Sequence, residues 1–430
     1  MKFNIPDTGQ KRIVIVGAGF GGLTVARKLS RGNFQVVLVD KNNYHQFQPL
    51  FYQVAMAGLE PSSIVFPLRK LFQKNNNVFV RVTRLLSVDP QQNEIVTEIG
   101  RLRYDYLVLA VGADTNWYGN EHIRANTIPM KSVSEALYLR NTIFDDYERA
   151  VTSDNYEDRQ RYLDIVIVGG GPTGVEVAGS LAEMKKHIIA KDYSDLNREE
   201  INIHLINGEP RLLGTMSEQA SKKAEQFLRE LGVELWLDKI VTDYDGEKVT
   251  LNDGTGIRAN KVIWAAGIVG NRIEGLPEAA SAKGNRIKVD DINRVVDTQN
   301  IFAIGDIACQ TEHNYPKGHP QVAQVAIQQG RLLADNIKRL EKGKAPDAFH
   351  YRDLGSMATI GRNRAVVDLP FWRFQGAFAW FVWLFVHLFS LLGLRNKLIV
   401  FLNWVWNYIT YDQSLRLVIK PWRKPAAVEP

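Results

Sequence analysis

Two glycine-rich strings constrain this chain more than any other feature: Gly17-Ala18-Gly19-Phe20-Gly21-Gly22 and Gly169-Gly170-Gly171-Pro172-Thr173-Gly174. Each follows an apolar run of strand character and opens a run of helical character. A backbone turning sharply from a buried strand into a helix needs glycine, both for the bend and to let a pyrophosphate approach the helix N-terminus. One such string is weak evidence; two, each in strand-turn-helix context, point to two dinucleotide sites on one protein.

The flanking sequence extends the pattern. Residues 12–16 predict a buried strand, 22–30 a helix, and 35–39 a second strand ending at Asp40, where an acid is placed to bond a ribose hydroxyl. Another buried strand follows at 106–110 and turns at Gly112, and a crossover helix is expected within the more polar stretch 126–160. Residues 164–168 open a second unit of the same kind, with a helix from Thr173 to about Asp192 and a strand at 201–206. The run 262–266 with Gly267 repeats the pattern of 107–112, so the two halves read as copies of one plan. A last buried strand, 300–304, ends in Gly305-Asp306 and is expected to return to the first domain.

Composition narrows the class. The chain has 430 residues and a formal charge of +6. Lys and Arg exceed Asp and Glu only in the last 80 residues, by 10 to 4, which also hold six of the nine tryptophans: Trp372, Trp380, Trp383, Trp404, Trp406 and Trp422. Basic residues interleaved with aromatics suit an anionic membrane surface and not a nucleic acid. Residues 374–394 carry no charge, but Gln375, Gly376, His387, Ser390 and Gly393 interrupt them, and the next apolar run, 398–411, is shorter than the roughly 20 residues a span needs. Helices lying in the interface are favoured over a true span. With Cys309 the only thiol, an internal disulfide or a Cys-x-x-Cys redox or metal site is excluded. The first ten residues lack the apolar core of a secretory signal, so a cytosol-facing protein is expected.

These motifs resemble the two-dinucleotide-binding-domain flavoproteins. Within them, Asn42-Asn-Tyr-His45, the string from Phe47 to Val54, Gly169 to Glu176, and Ala323-Gln324-Val325-Ala326-Ile327-Gln328 resemble type II NADH dehydrogenase, the single-subunit, non-pumping NADH:quinone oxidoreductases. The resemblance implies an α/β fold of two Rossmann-like domains plus C-terminal membrane-anchoring helices. The FAD domain, 1–125 and 285–345, would be discontinuous, the NADH domain inserted at 126–284, and 346–430 the membrane region. It further implies FAD contacts at Gly17, Gly19, Phe20, Gly22, Asp40, Lys41, Val82, Ala110, Asp306, Ala323, Gln324 and Lys397. NADH would meet Gly169, Gly171, Gly174, Glu176, Asn207 and Gly267, with Glu176, Gln324 and Gln328 catalytic and no metal.

The implied activity carries hydride from NADH to FAD and two electrons on to a membrane quinone, ubiquinone or menaquinone, without proton pumping. Glu176 would position NADH or relay protons, for which His45 and His319 are further candidates. Gln324 and Gln328, four apart, share a helix face and can donate to quinone carbonyls. The implied location is peripheral, on the cytoplasmic face of the cell membrane, with a homodimer left open. One departure stands out: the family usually has an acid at Asn207, and an amide repels the NADPH 2′-phosphate less, so the coenzyme preference, NADH favoured, is open to test. The alternative function is an NADH-responsive, FAD-containing binding protein of the apoptosis-inducing-factor type. Sulfide:quinone oxidoreductases and disulfide reductases need a redox cysteine pair that this chain lacks.

Overall fold

The computed structural model describes residues 3–412 and 415–419; Trp422 lies outside them. In chain order the elements that matter for function begin with β1 (Arg12–Val16), α1 (Phe20–Leu29), β2 (Gln35–Asp40), β3 (Val78–Val82) and β4 (Tyr106–Leu109). Next come α2 (Val133–Val151), β5 (Ile165–Val168), α3 (Pro172–Met184), β6 (Ile203–Asn207), β7 (Glu234–Leu237) and β8 (Lys261–Trp264). The last are β9 (Ile301–Ala303), α4 (Ala323–Leu340), β10 (Ser356–Gly361), β11 (Arg364–Asp368), β12 (Arg373–Gln375), α5 (Ala377–Ser390) and α6 (Leu394–Thr410).

The chain folds as two compact units. The first comprises Met1–Gln46, Val65–Asp114 and Ile268–Leu354; the second comprises Phe47–Ile64, Thr115–Gly267 and Gly355–Pro430. In the first, a fully parallel sheet runs β9-β4-β1-β2-β3. Its central strand is Ile-Val-Ile-Val after Arg12, buried throughout, as both faces of a parallel sheet are covered. The late strand β9 joins this sheet beside β4, in the domain where the Gly-Asp ending was expected.

The second unit repeats the arrangement. Its parallel sheet runs Ile128–Pro129, β8, β5, β6, β7, again with the first strand of the motif in the middle. The stretch 126–160 holds not one helix but parts of several. The long α2 starts in a capping box in which Ser132 and Glu135 satisfy each other's backbone N–H groups, and Tyr156–Leu163 forms a separate helix capped by Asn155. Helix α3 continues through a π-helical segment, Lys185–Ile189, to Asp192.

The C-terminal part departs from a single long apolar run. Residues 373–375 pair as the third strand of the antiparallel sheet β10-β11-β12. Gly376 then takes φ +84°, and Gly393 φ +78°, so the run is cut before α5 and again before α6. Among the described residues no helix is long and apolar enough to cross a membrane. Strand β10 lies directly on α3: a Cβ at Gly179 would sit 1.6 Å from the Ile360 carbonyl oxygen, so only glycine lets helix and strand approach this closely.

Candidate active site: two cradles and an enclosed glutamate

Each cradle begins with a glycine whose φ is positive, +102° at Gly17 and +114° at Gly169. A Cβ there would lie 2.2 Å from the Ala110 carbonyl oxygen in the first and 2.4 Å from that of Ala265 in the second. The third glycine packs helix on turn: a Cβ at Gly22 or Gly174 would lie within 1.9 or 1.8 Å of the first glycine's oxygen. At the middle glycines, Gly19 and Gly171, a Cβ would meet nothing within 4 Å. Both are helix N-caps without a side-chain cap, so open space lies beside the N-terminal turns of α1 and α3. That is the geometry a pyrophosphate requires.

Strand ends complete the first cradle. Asp40 Oδ2 accepts from the Ala18 N–H at 2.6 Å and Oδ1 from the Asn42 N–H at 2.7 Å. Burial raises its pKa against these bonds and the charge of exposed Lys41. Val82 pairs with Asp40 at the end of β3 and is exposed, and Ala110 bonds Val16 in line with Gly17. Phe20 meets His45 edge to face, and His45 Nδ1 donates to the Ala18 carbonyl at 2.8 Å. Burial lowers the His45 pKa, so this ring is a neutral brace for the turn and a poor proton source.

Gly305 and Asp306 form a short 3-10 turn at the end of β9. Gln329 Oε1 accepts from the Gly305 N–H at 2.7 Å and Gln321 Nε2 donates to the Asp306 carbonyl at 2.8 Å, so α4 and its lead-in hold the turn. Ala323 and Gln324 open α4. Gln324 Oε1 accepts from the Leu354 N–H at 3.1 Å, and Gln328 bonds both sides of Arg352, donating at 2.9 Å and accepting at 3.1 Å. The two amides therefore share a face, as their spacing requires, and both grip residues 352–354. His319 is buried among Tyr315, Phe349 and Tyr351, with Nε2 3.3 Å from Glu312 Oε1 but without hydrogen-bond geometry. Burial lowers its pKa, with Glu312 opposing.

In the second cradle Asn207 takes the place of Asp40. Its Oδ1 accepts from the Gly170 N–H at 2.9 Å, while Nδ2 donates to the carbonyls of Glu209 and Arg211 at 2.9 and 3.1 Å. Gly267 admits Tyr118: its hydroxyl would lie 2.6 Å from a Cβ and donates to the Ala266 carbonyl.

Glu176 projects from the first turns of α3. It keeps some accessible surface, yet its carboxylate is closely surrounded by protein. The Thr359 N–H of β10 reaches Oε1 at 3.5 Å. Trp383 of α5, 1% exposed, turns an indole N–H without a close partner toward the same carboxylate. Desolvation pushes the Glu176 pKa up to about 8, with Thr359 and Trp383 opposing. Tyr52 packs against Trp383, and Gln53 bridges the Tyr52 hydroxyl to the Trp404 indole at 2.8 and 2.7 Å. Thr359 was not singled out from the sequence, Tyr52 appeared only within the quoted string 47–54, and Trp383 only among the tail tryptophans suited to a membrane surface, whereas the fold buries it against Tyr52. Lys397 donates to the Phe389 carbonyl at 2.8 Å, closing the turn between α5 and α6.

Residues 11–330 match the family model described as pyridine nucleotide-disulphide oxidoreductase, and 354–410 match the NDH2 C-terminal domain. The fold and paired cradles thus define a pyridine-nucleotide oxidoreductase. The chain is 33% identical to the type II NADH:quinone oxidoreductase Ndh of Mycobacterium tuberculosis over 93% of its own length and 88% of that protein. It belongs to the type II NADH:quinone oxidoreductase family. A solved NDH2 of Plasmodium falciparum in complex with NADH shares the fold, with a TM-score of 0.87 at 22% identity over 96% of this chain and all of that one. The sulfide:quinone oxidoreductase of Aquifex aeolicus shares it less closely, at a TM-score of 0.73 and 20% identity over 96% of each chain.

Proposed function

We propose that this protein oxidises NADH at the second cradle and delivers two electrons to a quinone, with FAD held at the first. The observation that carries the reading is the pair of cradles, each open at its middle glycine and walled by backbone at the others. Bound FAD supplies the two-electron exchange between hydride donor and quinone, chemistry that side chains do not provide. The reaction balances as NADH + H⁺ + quinone giving NAD⁺ + quinol. Relatives named as oxidoreductases do not favour the binding-protein alternative.

The residues divide the work. Gly17, Gly19, Gly22 and the start of α1 bind pyrophosphate, and Asp40, whose two bonds fix its carboxylate, takes the ribose, with Phe20, Lys41, Val82, Ala110, Asp306 and Ala323 bordering the flavin nucleotide. Gly169, Gly171, Gly174, Asn207 and Gly267 serve NADH. Glu176, protonated at neutral pH, supplies a proton toward quinol. Gln324 and Gln328 form the quinone wall together with the 352–354 backbone they hold. We assign Lys397 to the flavin nucleotide as well. We assign 1–125 with 285–345 to FAD, 126–284 to NADH and 346–430 to the membrane.

The membrane assignment rests on exposed Phe378, Phe381, Phe385, Phe389, Leu402 and Trp406 along α5 and α6. At 14 and 17 residues these helices are about 21 and 25 Å long, short of a roughly 30 Å hydrocarbon core, which supports a place along the interface; we assign them to the cytoplasmic face. A second copy of the chain is the competing cover; vesicle flotation against sedimentation in detergent separates the two. Flavin absorbance tests the activity: NADH should bleach the purified yellow protein and a quinone should restore the colour rapidly. Slow restoration would overturn quinone reduction.

A further inference from the structure

Helix α3 carries more than Glu176 along one face. Ser180, Glu183 and His187 follow at steps of four, three and four residues, the last within the π-helical continuation; this spacing aligns side chains in a row. Ser180, Glu183 and His187 line a narrow cavity of about 110 Å³, walled also by Tyr52, Thr359 and Arg362, with room for a few waters. At one wall Thr359 bonds Glu176. Elsewhere Glu183, His187, Arg362 and Tyr411 also border a wide cleft of about 680 Å³ that opens to solvent.

The stoichiometry requires a proton from solvent. Hydride brings two electrons and one proton, so the second proton of quinol comes from water. Glu176, enclosed by protein, must be refilled after each turnover. Glu183 lies seven residues along α3, about 10 Å by helix rise, too far for direct transfer and within reach through Ser180 and bridging water. We propose that Glu183, with Ser180 and water admitted to the cavity, is the relay that refills Glu176 with protons from the solvent cleft. Glu183 is a relay and positioning residue, not one that touches substrate, and its role rests on the reading of Glu176 as proton donor.

The surroundings suit a carboxyl that exchanges protons. Burial raises the Glu183 pKa, while the Arg362 N–H, which bonds Oε1, and the charges of Arg364, Arg362 and Lys186 oppose. His187 beside it is pushed toward neutrality by burial, Lys186, Lys191 and Arg362. Tyr52, buried across the cavity, holds its proton well above the usual phenol range, because of desolvation, Glu176 and Glu183. Of the groups lining the cavity, Glu183 is thus the carboxyl whose proton burial helps to retain.

The test uses the holoenzyme and its two half-reactions in stopped flow. Glu183→Gln keeps the oxygen that receives the Arg362 N–H and removes the exchangeable proton. NADH bleaching should stay within about twofold of the parent, while reoxidation by quinone slows about tenfold or more with a larger solvent deuterium isotope effect. Ser180→Ala should slow the same step less, and formic acid should partly restore reoxidation in Glu183→Ala. Parental reoxidation in Glu183→Gln, or equal slowing of both half-reactions without an isotope effect, would overturn the relay. Glu176→Gln separates the two ideas: if it reoxidises at the parental rate the donor reading fails, and if it is slow while Glu183→Gln is normal only the relay fails. Infrared titration adds a readout independent of turnover. In a Glu176→Gln background, Glu183→Gln should diminish a protonated-carboxyl band titrating above the ordinary carboxylate range, and an unchanged band would count against the relay.

Discussion

The two cradles share their backbone down to individual bonds. The first glycine N–H donates to the end of the neighbouring strand at 2.8 Å in both, Gly17 to Val39 and Gly169 to Ile206. They part at the strand-end side chain. Asp40 only accepts, and both its oxygens hold N–H groups of its own turns. Asn207 accepts from Gly170 and also donates twice to the loop that follows. Identical geometry has thus been closed by an anion at one cradle and a neutral amide at the other. An anion beside the pocket repels a 2′-phosphate; an amide tied into its own loop does not. The second cradle owes its form to this loop clamp, and on charge alone an amide there would repel a 2′-phosphate less than a carboxylate.

Matched lesions would break the comparison most severely. Gly17→Ala and Gly169→Ala each force a methyl to within 2.2 and 2.4 Å of a backbone oxygen, each costing about 3 kcal/mol or more if the fold survives. Gly17→Ala should yield colourless protein, and Gly169→Ala yellow protein that NADH no longer bleaches. Loss of flavin from both, read by absorbance, would mean the cradles do not divide the two nucleotides. Next in size is Glu176→Gln, expected to slow quinone-dependent reoxidation about a hundredfold at neutral pH. In the parent that step should fall as pH rises through about 8 and the acid deprotonates; the variant should lose that limb. The same shift predicts stability. Because the folded carboxyl holds its proton more tightly than the unfolded one, the parent loses stability as pH rises from about 4.5 through about 8, and thermal melts of Glu176→Gln should lack this decline.

Smaller effects sharpen the contrast. Gln324→Leu should slow reoxidation about tenfold, the value of roughly one hydrogen bond, and leave bleaching unchanged; equal loss of both steps would remove Gln324 from the quinone wall. Asn207→Asp converts the second cradle toward the first. It strips two donors from the 209–211 loop, costing about 1 to 2 kcal/mol in denaturant unfolding, and should raise the ratio of NADH to NADPH bleaching rates. An unchanged ratio would mean that discrimination lies elsewhere.

The strands and cradles were legible in the sequence because their causes are local: apolar runs for buried parallel strands, glycine where backbone meets backbone. The surroundings of Glu176 were not. Tyr52, Thr359 and Trp383 come from three distant segments, each ordinary in its own context, and only tertiary packing turns a helix-start acid into one with a raised pKa. The interruptions in the apolar stretch after Arg373 were legible from its glycines and polar residues, but that Gly376 and Gly393 at positive φ divide it into strand, helix and helix was not.

Gly179 gives a different kind of control over the chemistry. One turn beyond Glu176 on α3, its missing side chain is what lets β10 lie against the helix and bring Thr359 to the carboxylate. Any larger residue would wedge the sheet outward and let water in, and the acid would drift back toward the strength of a surface glutamate. The raised proton affinity of Glu176 is therefore owed in part to an atom that is not there, one helical turn away from the carboxylate.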